Sequence, residues 1–206
     1  MKSASWCVVK VGGSLFDLPD LQQRLRCWLA QRQGQRHLFV AGGGAWVDQL
    51  RSWDRRYRLD PVTAHWLAID CMQVTAALLH TLLPEATRIR TWDDWLALEA
   101  SGERQVILDV KQFLQVVEPT LPGVRLVADW RVSSDSIAAR VATAVAADAL
   151  VLLKSRAPVG REPTAAWAEE NYVDVWFPQL MTDCADVAWV NLRDDQWAAT
   201  MDRKGD

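Results

Sequence analysis

Four short stretches of this chain carry residue types suited to gripping an anion. The first is Lys10-Val11-Gly12-Gly13-Ser14, where an apolar, β-prone run holding one lysine breaks into two glycines and a serine. Glycines at the mouth of a helix free backbone amides to meet a phosphate, and the lysine adds a point charge beside them. The second is Gly42-Gly43-Gly44, which opens a segment carrying Asp48 and Arg51. Such a loop suits a carboxylate or a phosphate. The arginine fork matches phosphate, although Asp48 and Arg51, three apart, also make an ordinary solvated pair. The third is Val132-Ser133-Ser134-Asp135-Ser136-Ile137-Ala138, polar groups gathered where a helix begins. A carboxylate there compensates the helix dipole, or it holds a lysine or a magnesium ion. The fourth is Lys154, which closes the apolar run Leu150–Leu153. A lysine at the carboxyl end of a strand, with no helix to lie along, is a site candidate.

Short apolar strands and amphipathic helices must position these residues. Ser5 to Val11, His37 to Ala41, Thr87 to Arg90, Gln105 to Leu108, Ala149 to Leu153 and Val187 to Leu192 read as strands. Between them, Leu18 to Gln33, a segment marked by Trp46, Leu50, Trp53 and Tyr57, Pro61 to Leu83, Trp92 to Ala100, Lys111 to Val117 and Ser134 to Val145 read as helices. Ser134 is expected as the cap of the last of these, Pro61 suits a first turn, and Ala64, Leu67, Ala68, Cys71, Thr75, Leu78, Leu79 and Leu82 trace a core stripe. Pro158 to Pro163 reads as irregular, and a helix is expected from Asp194. Alternating strands and helices imply an α/β fold with a mostly parallel central sheet covered on both faces. Ligands in such sheets sit at the carboxyl ends of the strands, where residues 12–13, 42–44 and 154 all fall. Without repeats or linkers, residues 1–206 read as a single domain.

With 50% hydrophobic and 24% charged residues the composition is that of a folded globular protein. A net charge of −3 argues against a nucleic-acid binder, despite a local cluster of Arg51, Arg55, Arg56 and Arg58. Cys7, Cys27, Cys71 and Cys184 lack zinc spacing and lie in apolar segments, so buried thiols in a reducing compartment are expected. No signal-peptide core opens the chain, and no unbroken apolar run reaches the roughly 18 to 20 residues of a membrane span. A cytoplasmic protein with no membrane partner is expected. The 12 tryptophans are expected mainly in the core or an interface. His37 and His80 read as structural, while His65 sits at the edge of the core stripe, either packed or lining a site.

Taken together, the Lys10–Ser14 turn, the Gly42–Gly44 loop and Asp135 before an alanine-rich helix resemble the amino acid kinase superfamily, which includes acetylglutamate, aspartate, carbamate, uridylate and isopentenyl phosphate kinases. The resemblance implies a three-layer α/β/α sandwich and an ATP-dependent kinase using Mg2+. It implies that Lys10 contacts the transferring phosphoryl group, that Gly12, Gly13 and Ser14 bind nucleotide phosphates, with Ser134, Ser155, Asp174 and Phe177 on the nucleotide side, that Gly42 to Gly44 hold the acceptor, and that Asp135 orients lysines. No metal-ligating residue is assigned. Thr63 to Ile69, Ser134 to Ala138, Leu152 to Ser155 and Val173 to Pro178 resemble a short-chain branch that includes the kinase of methanofuran biosynthesis, which converts an aminomethyl-furanmethanol phosphate to its diphosphate. That branch places His65 near a small phosphorylated acceptor, and Asp48 and Arg51 after the glycine loop are candidate contacts for it. Members are often homo-oligomers, which the resemblance extends to this chain. Ala45-Trp46-Val47 lacks the histidine that isopentenyl phosphate kinases carry after the glycine loop. A late Gly-Gly-x-x-x-Lys segment is missing too, leaving Lys154 as its substitute, and Arg156-Ala157-Pro158 replaces the usual Asp-Gly. Uridylate or an amino-acid carboxylate as acceptor, or a nucleotide-binding scaffold without catalysis, are the competing expectations.

Overall fold

The computed structural model describes residues 6–99, 101–160, 165–181 and 186–195. Six strands form one sheet: β1 (Trp6–Val11), β2 (Arg36–Ala41), β3 (Thr87–Ile89), β4 (Gln105–Leu108), β5 (Ala149–Lys154) and β6 (Asp186–Asn191). The order is β3-β4-β2-β1-β5-β6 and every pairing is parallel. The sheet is thus wholly parallel among the described residues, where the sequence implied mostly parallel. The helices are α1 (Leu21–Ala30), α2 (Gly44–Tyr57), α3 (Pro61–Leu82), α4 (Trp92–Glu99), α5 (Val110–Gln112), α6 (Ser134–Ala144), α7 (Ala165–Glu169) and α8 (Phe177–Leu180). The last two short helices have too few residues to show a period, and the sequence reading missed them. Ser5, Ala100, Pro163, Cys184 and nearly all of the helix expected from Asp194 lie outside the described residues.

Strand alternation decides what each face receives. In β1, Trp6 and Val8 enter one core with Ile137 and Val141 of α6, while Cys7, Val9 and Val11 enter the other with Leu25 and Trp28 of α1. In β5, Leu150 and Leu152 share the α6 side, and Val151 and Leu153 the α1 side. Lys10 and Lys154 continue the α6-side series at the ends of β1 and β5. The strands are registered Lys10 to Leu152, so the two lysines emerge on one face, two residues apart along neighbouring strands.

Several expectations are corrected. Ser133, not Ser134, caps α6: its hydroxyl accepts from the Asp135 amide. The buried face of α3 runs through Ala64, Ile69, Met72, Thr75, Ala76 and Leu79, while Leu67 and Leu78 are exposed. The helix is apolar nearly all round, so a single stripe could be drawn on the wrong face; by length and hydropathy alone it could cross a membrane, yet its inner face packs on the sheet. Pro61 does begin it, behind an Asp60 cap that accepts from the Thr63 amide at 2.9 Å. Cys7 is buried, but Cys27 is exposed on the outer side of α1. The tryptophans of α4 turn toward the core, with the Trp95 ring tilted 58° against Trp6 at 4.7 Å and Trp92 at 5.5 Å from Phe113. Trp46 and Trp53 on α2 are the exposed pair.

Candidate active site

At the carboxyl ends of β1, β2 and β5 three loops meet backbone to backbone. A Cβ on Gly13 would lie 2.3 Å from the Gly44 nitrogen, and one on Gly42 would lie 2.8 Å from the Gly13 nitrogen and 3.0 Å from Ser134 Oγ. The turn after β1 is tied down by Gly12 N–H donating to the Leu153 carbonyl at 2.8 Å, and the loop after β2 by Gly42 N–H donating to Val11 O at 2.8 Å. The glycines therefore allow the loops to approach one another, and any anion would meet a floor that is already closely packed. Gly44 also has φ of 59°, a left-handed conformation that opens α2.

The two lysines converge on Asp135. Lys10 Nζ lies 2.9 Å from Asp135 Oδ1, and Lys154 Nζ donates to Oδ2 at 2.6 Å and to the Tyr172 carbonyl at 2.6 Å. All three charged side chains are buried or nearly so. Burial pushes the Asp135 carboxyl up, but the charges of Lys10 and then Lys154 outweigh it and bring it down to about 2. Burial pulls Lys154 down to about 8; Asp135 opposes this, and Lys10 adds to it. Two ammonium groups thus meet on one carboxylate, with the Asp174 carboxylate next to them across Ser133 Oγ, and an anionic ligand would add further partners for the lysines. The sequence offered Asp135 two roles, and in the structure its carboxylate holds lysines.

Beside this floor opens a cavity of about 230 Å³. Its lining includes Gly13, Ser14, Gly43, Gly44, Asp48, Arg51, His65 and Ser134, residues that the sequence drew from four separate stretches. Lys10, Asp135 and Lys154 are not in the lining; Asp135 follows Ser134 of the wall, and Lys10 stands three residues before Gly13. His65 is buried beside Asp129. Its burial holds the imidazole below its ordinary range, while the Asp129 backbone and carboxylate pull it back up. Asp48 and Arg51 form an exposed pair at 3.3 Å, and the Arg51 guanidinium lies 5.1 Å from the centroid of the Trp130 ring.

Four expected nucleotide-side residues are not part of the cavity lining. The Ser155 hydroxyl shares a 2.8 Å hydrogen bond with the Ser14 hydroxyl. Gly12 packs against Leu153 O and Lys154 Cα. The Asp174 carboxylate accepts from the amides of Ser133, Ser136, Trp176 and Phe177 and from the hydroxyls of Ser133 and Ser136. It staples the start of α6 to the start of α8, and it occupies amides that would otherwise face a ligand. The Phe177 ring is buried in the α6-side core. The sequence reading missed Asp129, Trp130 and Met72 of the cavity wall, and Tyr172, whose ring lies 4.9 Å from Lys154 Nζ. Neither Asp129 nor Trp130 stands in a motif; only their place in a long stretch without helical or strand pattern marks them.

A parallel sheet whose adjoining strand tips present two lysines, joined by a helix-borne aspartate beside glycine loops, defines a class of phosphate-handling α/β protein. Residues 5–159 match the amino acid kinase family model, and the chain belongs to that family, a family of phosphotransferases. Among particular relatives, a (5-(aminomethyl)furan-3-yl)methyl phosphate kinase from Methanocaldococcus jannaschii is 28% identical over 101 residues, 48% of this chain and 44% of that one. The match thus spans less than half the length of that relative. Two solved structures share the fold at a TM-score of 0.68 and 12% identity. The UMP kinase of Ureaplasma parvum is matched over 98% of this chain and 96% of its own, and that of Bacillus anthracis over 97% and 92%. A uridylate kinase from Archaeoglobus fulgidus aligns with a TM-score of 0.55 at 18% identity, over 76% of this chain and 65% of its own.

Proposed function

We propose that this protein is an ATP-dependent kinase that transfers a phosphoryl group to a small, already phosphorylated acceptor, an aminomethyl-furanmethanol phosphate, giving a diphosphate. The observation that carries this reading is the buried Lys10–Asp135–Lys154 cluster, with two ammonium groups gathered on one carboxylate. Phosphoryl transfer is served mainly by alignment and charge neutralisation. An acceptor phosphate is already an anionic nucleophile and needs little general-base help. The cluster fits a polyphosphate: two ammonium groups are held in fixed places by one carboxylate, beside the loops at residues 12–14 and 42–44. When bound, ATP supplies the phosphoryl group and Mg2+ offsets charge on its oxygens. This chain's own part is to hold both lysines toward the oxygens in transit and to seat the acceptor in the cavity. The cavity of about 230 Å³ beside the cluster gives a small acceptor a seat.

The test is an acceptor panel. Purified protein with ATP and Mg2+ is expected to form ADP in step with a diphosphate product from the furan phosphate, and little from uridylate or acetylglutamate. Lys10→Ala is expected to lower kcat by about 100- to 1,000-fold while the circular dichroism spectrum is kept. Nucleotide binding without ADP formation on any acceptor would favour a scaffold and overturn the reading; so would full turnover in Lys10→Ala.

A further inference from the structure

Leu121 to Ser133 forms one long wall segment without a regular element, and its own backbone does little to hold it. Stretches of this length in a compact fold are commonly functional. Side chains from distant elements pin it instead. Arg140 of α6 is fully buried; its Nε donates to Glu118 Oε1 at 3.2 Å and its Nη1 to the Pro122 carbonyl at 2.9 Å. The same Glu118 oxygen accepts from the Leu126 amide at 3.0 Å. Farther along, Trp176 Nε1 donates to the Arg125 carbonyl at 2.9 Å, and Trp130 Nε1 donates to Asp54 Oδ2 on α2 at 2.7 Å. The segment ends in Asp129, Trp130, Val132 and Ser133, which line the cavity.

A buried ion pair is a poor source of stability, because desolvating both ions offsets most of their attraction. An arginine and a glutamate in this core therefore point to a geometric purpose. We propose that the Glu118–Arg140 pair is a positioning device: it ties the wall segment to the helix that carries Asp135, and so fixes Trp130 and Asp129 at the distance from the floor that the acceptor requires. This rests on the reading of the cavity as the acceptor site. Both ends of the clip matter. Arg140 lies two helical turns beyond Ser133, on the same helix as the lysine-binding carboxylate, while Glu118 stands three residues before the segment and bonds the Leu126 amide within it. Wall and floor are then registered against one rigid rod, and the clip sets acceptor affinity without touching the acceptor.

The test is the paired apolar replacement Glu118→Leu with Arg140→Met, which keeps volume and leaves no buried charge unpaired. The folded variant is expected to raise the acceptor KM about tenfold, to leave kcat and the ATP KM within about twofold, and to speed amide hydrogen exchange across residues 121–133 but not in β1 or β5. Should the pair fail to fold, Arg140→Lys keeps the charge and gives up the fork to Pro122, and the same two readouts are expected to move in the same direction by less. A merely structural clip would lower the melting temperature and leave the acceptor KM where it was; that result overturns the proposal, as does unchanged exchange in the segment. Hydrogen exchange does not depend on turnover. Faster exchange in a protein that phosphorylates no acceptor would count against the kinase reading and leave the clip itself in place.

Discussion

The floor and the wall of the cavity are built on opposite principles. The floor is backbone: three strand tips, tied by parallel pairing and by loop amides bonded to neighbouring strands, with glycines that let chain touch chain. The wall from Leu121 to Ser133 is side chain, held by Arg140, Trp176 and Asp54 from other elements and by Glu118 just before it. Backbone registration in a parallel sheet leaves little freedom, since moving one strand breaks a ladder. Side-chain pins yield one at a time. The division suits a phosphotransferase, in which the charge cluster must be fixed while the acceptor pocket can be retuned by a few substitutions.

The largest effect expected from this contrast comes from adding one methyl group to each region. Gly13→Ala forces a Cβ against the Gly44 backbone, which is anchored and has no rotamer with which to move away. A loss of about 3 kcal/mol in urea unfolding is expected, with activity lost as the loops part. Gly123 in the wall also has a positive φ, 83°. Gly123→Ala is expected to lose about 1 kcal/mol from the strain of a left-handed alanine. Equal losses at the two positions would erase the distinction between floor and wall.

This distinction also explains what could be read in the sequence. Glycines, a lysine at a strand end and an aspartate at a helix start are local signals of backbone geometry, so the six strands, the longer helices and Lys10, Asp135 and Lys154 were all legible. Strand parity even places both lysines on one face, although only the registered pairing of β1 with β5 shows how near they come. The wall was not legible. Trp130 and Asp129 follow no period, and their partners lie 76 residues away at Asp54 for Trp130, and at His65 for Asp129. Asp174 and Phe177, which the family resemblance put on the nucleotide side, sit where one staples two helix starts and the other fills the core.

Two groups of the floor also titrate away from their ordinary ranges. In the folded protein Lys154 sits at about 8 against an ordinary 10.5. Below 8 both folded and unfolded states hold the proton, and the penalty for burying the charge is present. Between 8 and 10.5 the unfolded state holds the proton that the folded state has released, so stability attributable to this group rises with pH. Asp135 behaves in the opposite range: with its carboxyl at about 2 rather than 3.8, its stabilisation is complete above 3.8 and is lost as pH falls through 2. Lys10, Tyr172 and Arg156 surround the same site. Turnover is expected to fall about tenfold per unit once Lys154 loses its charge above about 8. Activity and stability thus part company on the alkaline side, a divergence that paired kcat and melting measurements across this range would show. If both fell together above 8, the charge on Lys154 would be stabilising the fold rather than serving transfer.

The smallest effect sharpens the comparison from the wall side. Trp130→Phe keeps an aromatic ring in the cavity and deletes the indole N–H that donates to Asp54 Oδ2. Asp54 keeps the Leu59 amide on its other oxygen, at 3.0 Å, so its charge is not left bare. A stability change of about 1 kcal/mol is expected. With one pin gone and the ring free to shift beneath Arg51, the acceptor KM is expected to rise about fivefold, while kcat and the ATP KM stay put, because the lysines and their aspartate are untouched. Such a split is the signature of lost ground-state positioning. A kcat loss as deep as that of Lys10→Ala would mean that Trp130 belongs to the transfer machinery, and that the wall is as much a part of the chemistry as the floor.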